Sequence, residues 1–269
     1  MVDDSRHLEA IEFEAQSDFY RAAPADVRAA HAIEVHQLAA ATCLTSRGLE
    51  PAVMFRRAGG LGAEHETSES ELDAVLAYMN QRARPYAIPV APRAQPPALA
   101  EWLERRGFTR GYAWMKFRRS CTAPPQVTSN LEIRVIGHQL GDEFGRVVAE
   151  GFGAPPTVAR WVAEVTDRPN WICVMAFADN VPVAAGAVYV SGEYAWLGFG
   201  ATLTSHRRQG AQSALLARRI GEAAARGARW AVTETGEPVA DKPSNSYRNI
   251  LRAGFEEMYV RQNYMSPAP

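Results

Sequence analysis

The sequence predicts a mixed α/β fold in which helices flank a partly parallel β-sheet. In the carboxyl-terminal half, short apolar segments typical of strands alternate with amphipathic helical patterns in the order β-αα-βββ-α-β-α-β. Strands joined through a helix tend to pair in parallel, whereas strands in direct succession favour antiparallel pairing. Both kinds of connection occur here, so we expect one mixed sheet with helices on its faces.

Size and charge narrow the class of protein. The chain has 269 residues, enough for two domains of roughly 100–200 residues each. Its 29 basic and 30 acidic side chains leave a net charge of −1, so neither nucleic acid nor an anionic membrane surface is an expected partner. The amino terminus is polar and acidic, unlike a signal peptide, and no uncharged apolar run approaches the roughly 20 residues of a membrane span. We therefore expect a cytoplasmic protein. As its oligomeric state we expect a monomer or homodimer.

Three cysteines, Cys43, Cys121 and Cys173, are scattered along the chain. None stands in a CxxC pair or in another spacing typical of metal ligands. They predict reduced thiols and no metal site.

A change in composition marks a candidate boundary between two domains. The segment SCTAPPQVTSN at residues 120–130 is rich in Pro, Ser and Thr and has no apolar periodicity. Such segments are typical of linkers. We predict an amino-terminal domain over residues 1–119, a linker over 120–130 and a second domain over 131–269.

The amino-terminal half predicts helices and short strands in alternation. Residues 18–44 favour one or two helices, with Ile33 and Ala40 on one face. Residues 69–84 form a helix because Leu72 and its apolar neighbours recur at helical spacing. The other predicted elements are strands over residues 52–56, 86–90 and 110–118 and a helix over 97–106.

The carboxyl-terminal half gives clearer patterns. Residues 209–226 predict a helix, because Gln212, Leu216, Ile220 and Ala223 fall on one face. The other predicted helices cover residues 139–150, 157–165 and 244–253, and the predicted strands cover 131–136, 171–178, 181–190, 194–203 and 230–235, with one or two more within 255–265.

Two segments in different halves of the chain echo each other. WLERRGF at residues 102–108 and NILRAGF at residues 249–255 each read as a short helix, a glycine stop and a phenylalanine that opens a strand. The pair predicts an internal duplication. Coincidence is the alternative, because a helix that ends at glycine before a strand is common.

The segment at residues 202–216, TLTSHRRQGAQSALL, carries the clearest chemical signal. A strand ends near Leu203, Arg207 and Arg208 occupy the turn, and Gly210 opens a helix. A helix start has unpaired N–H groups and partial positive charge, so it binds phosphate well. Glycine allows a close backbone approach and the arginines add permanent charge. The pattern therefore predicts an anion site, and a structural turn with surface arginines is the alternative.

In this context the segment resembles the pyrophosphate loop of the GCN5-related N-acetyltransferases (GNATs), whose pattern is Gln/Arg-x-x-Gly-x-Gly/Ala. Arg207 and Gly210 match the first two anchors, whereas Gln212 stands where the family has Gly or Ala. Asn249-x-x-Arg-x-Gly-Phe255 matches a second cofactor motif of the family. The order of elements over residues 131–265 is also similar.

This resemblance implies a GNAT acyl-CoA N-acyltransferase fold with acetyl-CoA bound between diverging strands at residues 194–203 and 230–235. It implies transfer of an acetyl group to the amine of a small molecule or peptide, by direct attack in a ternary complex. Gly198 and Gly200 fit a bulge or a close approach of the ligand, or a simple packing kink. The residues expected at the cofactor are Ala201, Thr202, Leu203, Arg207, Arg208, Gln209, Gly210, Ala211, Gln212, Ser213, Asn245, Ser246 and Asn249.

Acyl transfer to an amine needs a base that accepts the proton of the amine and is helped by an acid at the leaving thiolate. Family members commonly place an acidic tyrosine four residues before the second motif's glycine, where this chain has Ile250. Tyr247, one turn earlier, is the candidate catalytic acid, and Glu234 is the candidate catalytic base. Alternatives are Tyr264 as acid, Glu193 or Glu150 as base, and His206 in either role. The alternative for each glutamate is a solvated surface group without a catalytic role. The alternative for Ser244 or Asn245 is that it caps the helix and does not contact the cofactor.

The amino-terminal half, over residues 50–118, resembles a truncated second copy of the same fold. Arg56 and Arg57 precede Gly59-Gly60, but no helix begins there, so we expect a degenerate copy without a cofactor site. In relatives the segment corresponding to residues 151–158 borders the acceptor. Phe152, Trp161 and Trp196 would form an apolar wall there, or belong to the core.

Two other functions fit parts of the pattern. A non-catalytic acyl-CoA-binding regulatory module is favoured by the missing tyrosine at position 250. An aminoacyl or peptidyl transferase that uses tRNA is disfavoured, because the balanced charge argues against a large RNA footprint.

Overall fold

The computed structural model describes residues 4–49, 52–238 and 244–268. The amino-terminal half contains the helices α1 (Ser5–Arg21), α2 (Ala25–His31), α3 (Ala52–Phe55), α4 (Glu69–Arg82) and α5 (Leu99–Arg105), with the strands β1 (Glu34–Leu38), β2 (Ala41–Thr45), β3 (Arg57–Gly59), β4 (Ala87–Val90) and β5 (Thr109–Ser120).

The carboxyl-terminal half follows the order that the sequence predicts. Its helices are α6 (Gly141–Phe152), α7 (Pro156–Ala163), α8 (Ala211–Ala225) and α9 (Asn245–Arg252), and its strands are β6 (Glu132–Ile136), β7 (Trp171–Ala178), β8 (Val181–Ser191), β9 (Tyr194–Thr202), β10 (Trp230–Gly236) and β11 (Glu256–Met265).

Three predictions for the amino-terminal half are wrong. Residues 34–45 form the hairpin β1–β2 rather than a helix, and Cys43 and Leu44 belong to hydrophobic clusters on opposite faces of the sheet. Residues 52–55 are helical rather than extended, since a short apolar run does not distinguish the two states. The first helix begins at Ser5 and not near residue 18. The sequence does not indicate this start, because Glu9 and Glu12 occupy buried positions and interrupt the apolar pattern of α1.

Within the described residues, eleven strands form one sheet in the order β1-β2-β3-β4-β11-β5-β10-β9-β8-β7-β6. Neighbours are antiparallel except β3 with β4 and β9 with β10. The predicted mixed sheet is therefore confirmed.

The two halves of the chain exchange strands at the centre of this sheet. Strand β5 lies between β10 and β11, whereas β11 lies between β4 and β5. Outward from the junction of β11 and β5, the order is β4, β3, β2 on one side and β10, β9, β8 on the other, with a parallel pair on each side. This symmetry supports the predicted duplication, and the echoed segments precede the exchanged strands. The division into two domains stays a prediction, since the halves share one sheet.

The sheet splits between β9 and β10. These strands pair only at Trp230 with Tyr194, Ala231 with Ala195, and Val232 with Trp196, and then diverge. Beside the fork, β9 shifts register against β8, since Ala185 pairs with Ala201 but Ala187 pairs with Gly198. Phe199 takes φ 55° in this bulge. The fork thus opens a gap in the middle of the sheet.

Helices cover both faces around the fork. Helices α1, α6 and α7 pack on one face, where Trp161 is fully buried and donates its indole N–H to the Phe19 carbonyl at 2.7 Å. Helices α8 and α9 pack on the other face, where Leu215 and Ile220 are fully buried. Among the described residues, no helix combines the length and apolar character that crossing a membrane requires.

Candidate active site

A cavity of about 330 Å³ occupies the fork between β9 and β10. Its walls come from both faces of the sheet, with α1, α6 and α7 on one side and α8 and α9 on the other. The cavity therefore passes through the gap where β9 and β10 diverge and is lined from both faces of the sheet. The described residues contain no group of His, Cys, Asp and Glu side chains placed to hold a metal ion.

Helix α8 begins with an open, basic amino terminus. Gly210 precedes it at φ 81°, no side chain of the described residues caps it, and its first turn holds no acidic residue. Arg207 and Arg208 in the preceding turn are exposed, and neither forms an ion pair within the described part of the chain. This arrangement suits an anion such as a pyrophosphate, as the sequence predicts.

Helix α4 occupies the equivalent position in the amino-terminal half and begins differently. Ser68 accepts a hydrogen bond from the Glu71 N–H at 3.2 Å, and the Glu71 carboxylate accepts one from the Ser68 N–H at 2.7 Å. This capping box fills the helix start, and Glu69 and Glu71 repel anions. The start of α4 is therefore capped where the start of α8 is open, and the degenerate copy stays a prediction.

Gln212, which departs from the family pattern, turns across the cavity wall. Its side-chain N–H donates to the Thr202 hydroxyl at 2.8 Å, which ties α8 to the end of β9. Its amide oxygen also lies near Gly200. The Gln212 amide therefore forms part of the cavity wall between α8 and β9.

The other predicted cofactor residues fall into two groups. Ser246 and Asn249 on α9 line the cavity, as does Gln212. The rest lie at the end of β9, in the turn or at a helix start: Ala201, Thr202, Leu203, Arg207, Arg208, Gln209, Gly210, Ala211, Ser213 and Asn245. Ser244 is the cap of α9 and accepts a hydrogen bond from the Tyr247 N–H at 3.1 Å.

Glu234 lines the cavity just beyond the last β9–β10 pair. Its carboxylate accepts hydrogen bonds from Lys116 Nζ at 3.0 Å and from Trp196 Nε1 at 3.0 Å, and its side chain is 7% exposed. Burial and the neighbouring Glu12 raise the pKa of Glu234, although Lys116 and Arg261 oppose that shift. A fixed carboxylate with a raised pKa is suited to accept a proton.

A buried charge cluster stands behind Glu234. Glu12 on α1 accepts hydrogen bonds from Lys116 at 2.7 Å and Arg57 at 3.0 Å, and also from Arg261. Burial opposes the charge of Glu12, but these three cations hold its pKa well below the ordinary value. Sequence reasoning missed this cluster. The available signal was a lysine among apolar residues in the strand RGYAWMKFR.

Tyr247 does not reach the cavity. Its hydroxyl donates to the Glu257 carboxylate, and its ring packs edge-on against Phe117 with the centroids 5.0 Å apart. Burial and Glu257 raise its pKa to about 12. Because Tyr247 lies one turn before Ile250, it faces another side of α9, whereas Ile250 lines the cavity. The structure thus does not bring the predicted acid to the predicted base.

The alternative candidates also lie outside the cavity wall. Tyr264 is buried in the core of the amino-terminal half. Glu193 pairs with an arginine at the surface, as does Glu150, and His206 contacts Ser205.

Arg219 is a cavity residue that the sequence analysis did not single out. Its guanidinium is buried between α8 and the sheet and donates to the carbonyls of Ala187 at 3.2 Å and Gly198 at 3.0 Å. A side chain at position 186 would collide with the Arg219 guanidinium. Gly186 therefore leaves the space that Arg219 occupies. No carboxylate in the described chain pairs with it, and burial lowers its pKa to about 10. The fork therefore has a positive charge in its wall.

The comparison with known proteins rests on structure. No model of a protein family matches the sequence, and no curated protein does. A GCN5-related N-acetyltransferase from Kribbella flavida superposes over 100% of this chain and 98% of its own, with a TM-score of 0.67 and 18% identity. The fold is that of the GCN5-related N-acetyltransferases.

Two further GNAT structures agree. One, from Sphaerobacter thermophilus, covers 85% of this chain and 82% of its own, with a TM-score of 0.59 and 15% identity. A tandem GNAT protein from the clavulanic acid biosynthesis pathway covers 85% of this chain and 79% of its own, again with a TM-score of 0.59 and 15% identity. The predicted GNAT fold is confirmed, and at these identities the likeness concerns the fold alone.

Proposed function

We propose that this protein is an N-acetyltransferase that transfers an acetyl group from acetyl-CoA to an amine. The observation that carries the proposal is the cavity at the fork, which lies between the open amino terminus of α8 and the buried carboxylate of Glu234. The cavity matters because an acyltransferase needs both a cofactor site and a base in one connected space. The GNAT fold also supports the proposal.

The cofactor would be held from the α8 and α9 side. The N–H groups of residues 211–213, with Arg207 and Arg208, would hold the pyrophosphate. Residues 201–203 at the end of β9 and the side chains of Ser246 and Asn249 would contact the pantetheine arm. Gln212 would either donate to that arm or exchange its bond with Thr202.

The chemistry follows from the groups at the fork. Acetyl-CoA supplies the thioester, whose C–S bond breaks as the amine nitrogen bonds to the carbonyl carbon. Glu234 accepts the proton that the amine loses, directly or through water. Backbone N–H groups of β9 and the charge of Arg219 stabilise the developing oxyanion. The departing thiolate takes its proton from solvent, because Tyr247 lies elsewhere.

Binding and turnover test this proposal separately. Calorimetric titration of acetyl-CoA should give a saturable heat, and no binding at millimolar acetyl-CoA would contradict the proposal. A panel of amines should then release free CoA above the rate without amine.

A non-catalytic acyl-CoA-binding module is the second candidate. Ile250 in the cavity wall favours it, since no tyrosine acid stands there. Tight binding of acetyl-CoA with no amine-dependent release of CoA would establish it over the transferase.

A further inference from the structure

The wall of the cavity on the face of α1, α6 and α7 has a distinct chemistry, and we name this part the acceptor chamber. Six apolar side chains that define it are Phe19, Met54, Val148, Phe152, Val158 and Val162. Phe19, Val148, Val158 and Val162 are buried. An apolar body entering here would exchange water for carbon contacts on several sides.

Two members of the chamber are unusually exposed for their type. Phe152 is 54% exposed and Met54 is 41% exposed, and both line the cavity. Exposed apolar groups that gather at one opening mark a binding surface more often than scattered ones do. Met54 comes from the amino-terminal half and Phe152 from the carboxyl-terminal half, so both halves build the entrance.

The charges of the cavity limit what else the ligand carries. Glu234 is the one carboxylate among the described lining residues, and its partners are Lys116 and Trp196. Arg57 also lines the cavity and is held by Glu12. One ammonium can therefore meet a carboxylate, whereas a second would be buried without a counter-charge, which is unfavourable.

Uncharged polar groups are also scarce in the acceptor chamber. Gln16 is the one such side chain that α1, α6 and α7 contribute among the described lining residues. A sugar or a peptide backbone would leave most of its hydrogen-bonding groups unpaired against Phe19 and the three valines. The chamber therefore disfavours amino sugars and peptides.

We infer that the acceptor is a primary monoamine on an apolar body, such as an alkyl chain or an aromatic ring, rather than a polyamine, an amino sugar or a peptide. This inference rests on the proposed function and specifies its substrate class. The ammonium lies at Glu234 and the apolar body fills the acceptor chamber.

A matched pair of amines tests it. Hexylamine and cadaverine have similar lengths, but cadaverine ends in a second ammonium where hexylamine ends in a methyl group. With acetyl-CoA saturating, we expect kcat/KM for hexylamine to exceed that for cadaverine by roughly 100-fold. Phenethylamine should resemble hexylamine. Equal or better turnover of cadaverine, lysine or glucosamine would overturn the inference.

Variants of the entrance give a second readout. Phe152→Ser and Met54→Ser should each lower the ratio of kcat/KM for hexylamine to kcat/KM for methylamine by roughly tenfold. Val181→Ser is the matched control, because Val181 is 56% exposed and lies outside the cavity wall. If the control lowers hexylamine turnover as much as the entrance variants do, the acceptor chamber is not the acceptor site.

Binding without turnover separates this inference from the proposed function. Titrating the same amines into protein loaded with CoA measures their order of affinity directly. If hexylamine binds more tightly than cadaverine but no amine releases CoA from acetyl-CoA, the inference is supported and the transfer reaction is contradicted. No binding of any amine would overturn both.

Discussion

At the scale of single residues, Glu234 determines whether the cavity can perform acyl transfer. Glu234→Gln keeps the side chain's shape but cannot accept a proton. We expect kcat to fall by about 10²–10⁴-fold with the affinity for acetyl-CoA unchanged. Steady-state kinetics and calorimetry measure the two quantities. Unchanged kcat would remove Glu234 from the mechanism.

The pH dependence follows from the direction of the pKa shift. The pKa of Glu234 is raised by burial and by Glu12, and the base works only when unprotonated. Wild-type kcat/KM should therefore rise with pH through this raised pKa, and Glu234→Gln should lose that rise. A profile that is identical in both proteins would assign the ionisation to another group.

The two arginines of the turn make a second prediction at this scale. Replacing Arg207 and Arg208 by alanine should weaken CoA binding by roughly tenfold or more, since each offers charge-assisted hydrogen bonds to phosphate. Pantetheine, which lacks the pyrophosphate, should bind equally to wild type and variant. Arg218→Ala is the control, because Arg218 lies on α8, which follows this turn, but pairs with Glu222. Equal loss for both ligands would contradict a phosphate site.

At the scale of elements, β5 positions the base through Lys116. Lys116→Met would leave the buried Glu234 carboxylate without its cation, and we expect a loss of about 3–5 kcal/mol in the free energy of unfolding. Arg229→Ala, which breaks the exposed pair with Glu193, should leave the free energy of unfolding nearly unchanged. Urea unfolding compares the two variants. Similar losses would mean that the buried pair has no special role in stability.

How much the sequence could predict differs between these elements. The anion site at the start of α8 could be predicted from the sequence, because Arg207 and Gly210 lie within one turn and a phosphate site at a helix start has a local pattern. The buried ion pairs of Glu12 could not be predicted, because its partners Arg57, Lys116 and Arg261 lie 45, 104 and 249 residues away. Local periodicity contains no information about such pairs, and the buried charges of α1 concealed the helix itself.

At the scale of the whole molecule, the exchanged strands make the halves dependent on each other. The sequence predicted two domains and a linker, but neither the period of the strands nor their order along the chain reveals that β5 and β11 change places. Neither strand has a residue pattern that specifies its neighbour in the sheet. Through β5 the amino-terminal half supplies Lys116 to the site, and through α3 it supplies Met54 to the entrance.

This exchange predicts the behaviour of fragments. A chain of residues 121–269 lacks β4 and β5, so β10 would have one unpaired edge and β11 would lose both of its partner strands. We expect that fragment to show no cooperative unfolding transition by calorimetry and the full chain to show a single one. Co-expression with residues 1–120 should restore folding. Cooperative unfolding of residues 121–269 alone would contradict the account.

A crystal structure of the protein with CoA tests the central claim most directly. We predict the pyrophosphate on the N–H groups of residues 211–213 beside Arg207 and Arg208, and the sulfur in the fork between β9 and β10 near Glu234. CoA bound elsewhere, or a fork that stays closed to it at saturating concentration, would contradict the claim that this cavity is an acyltransferase site.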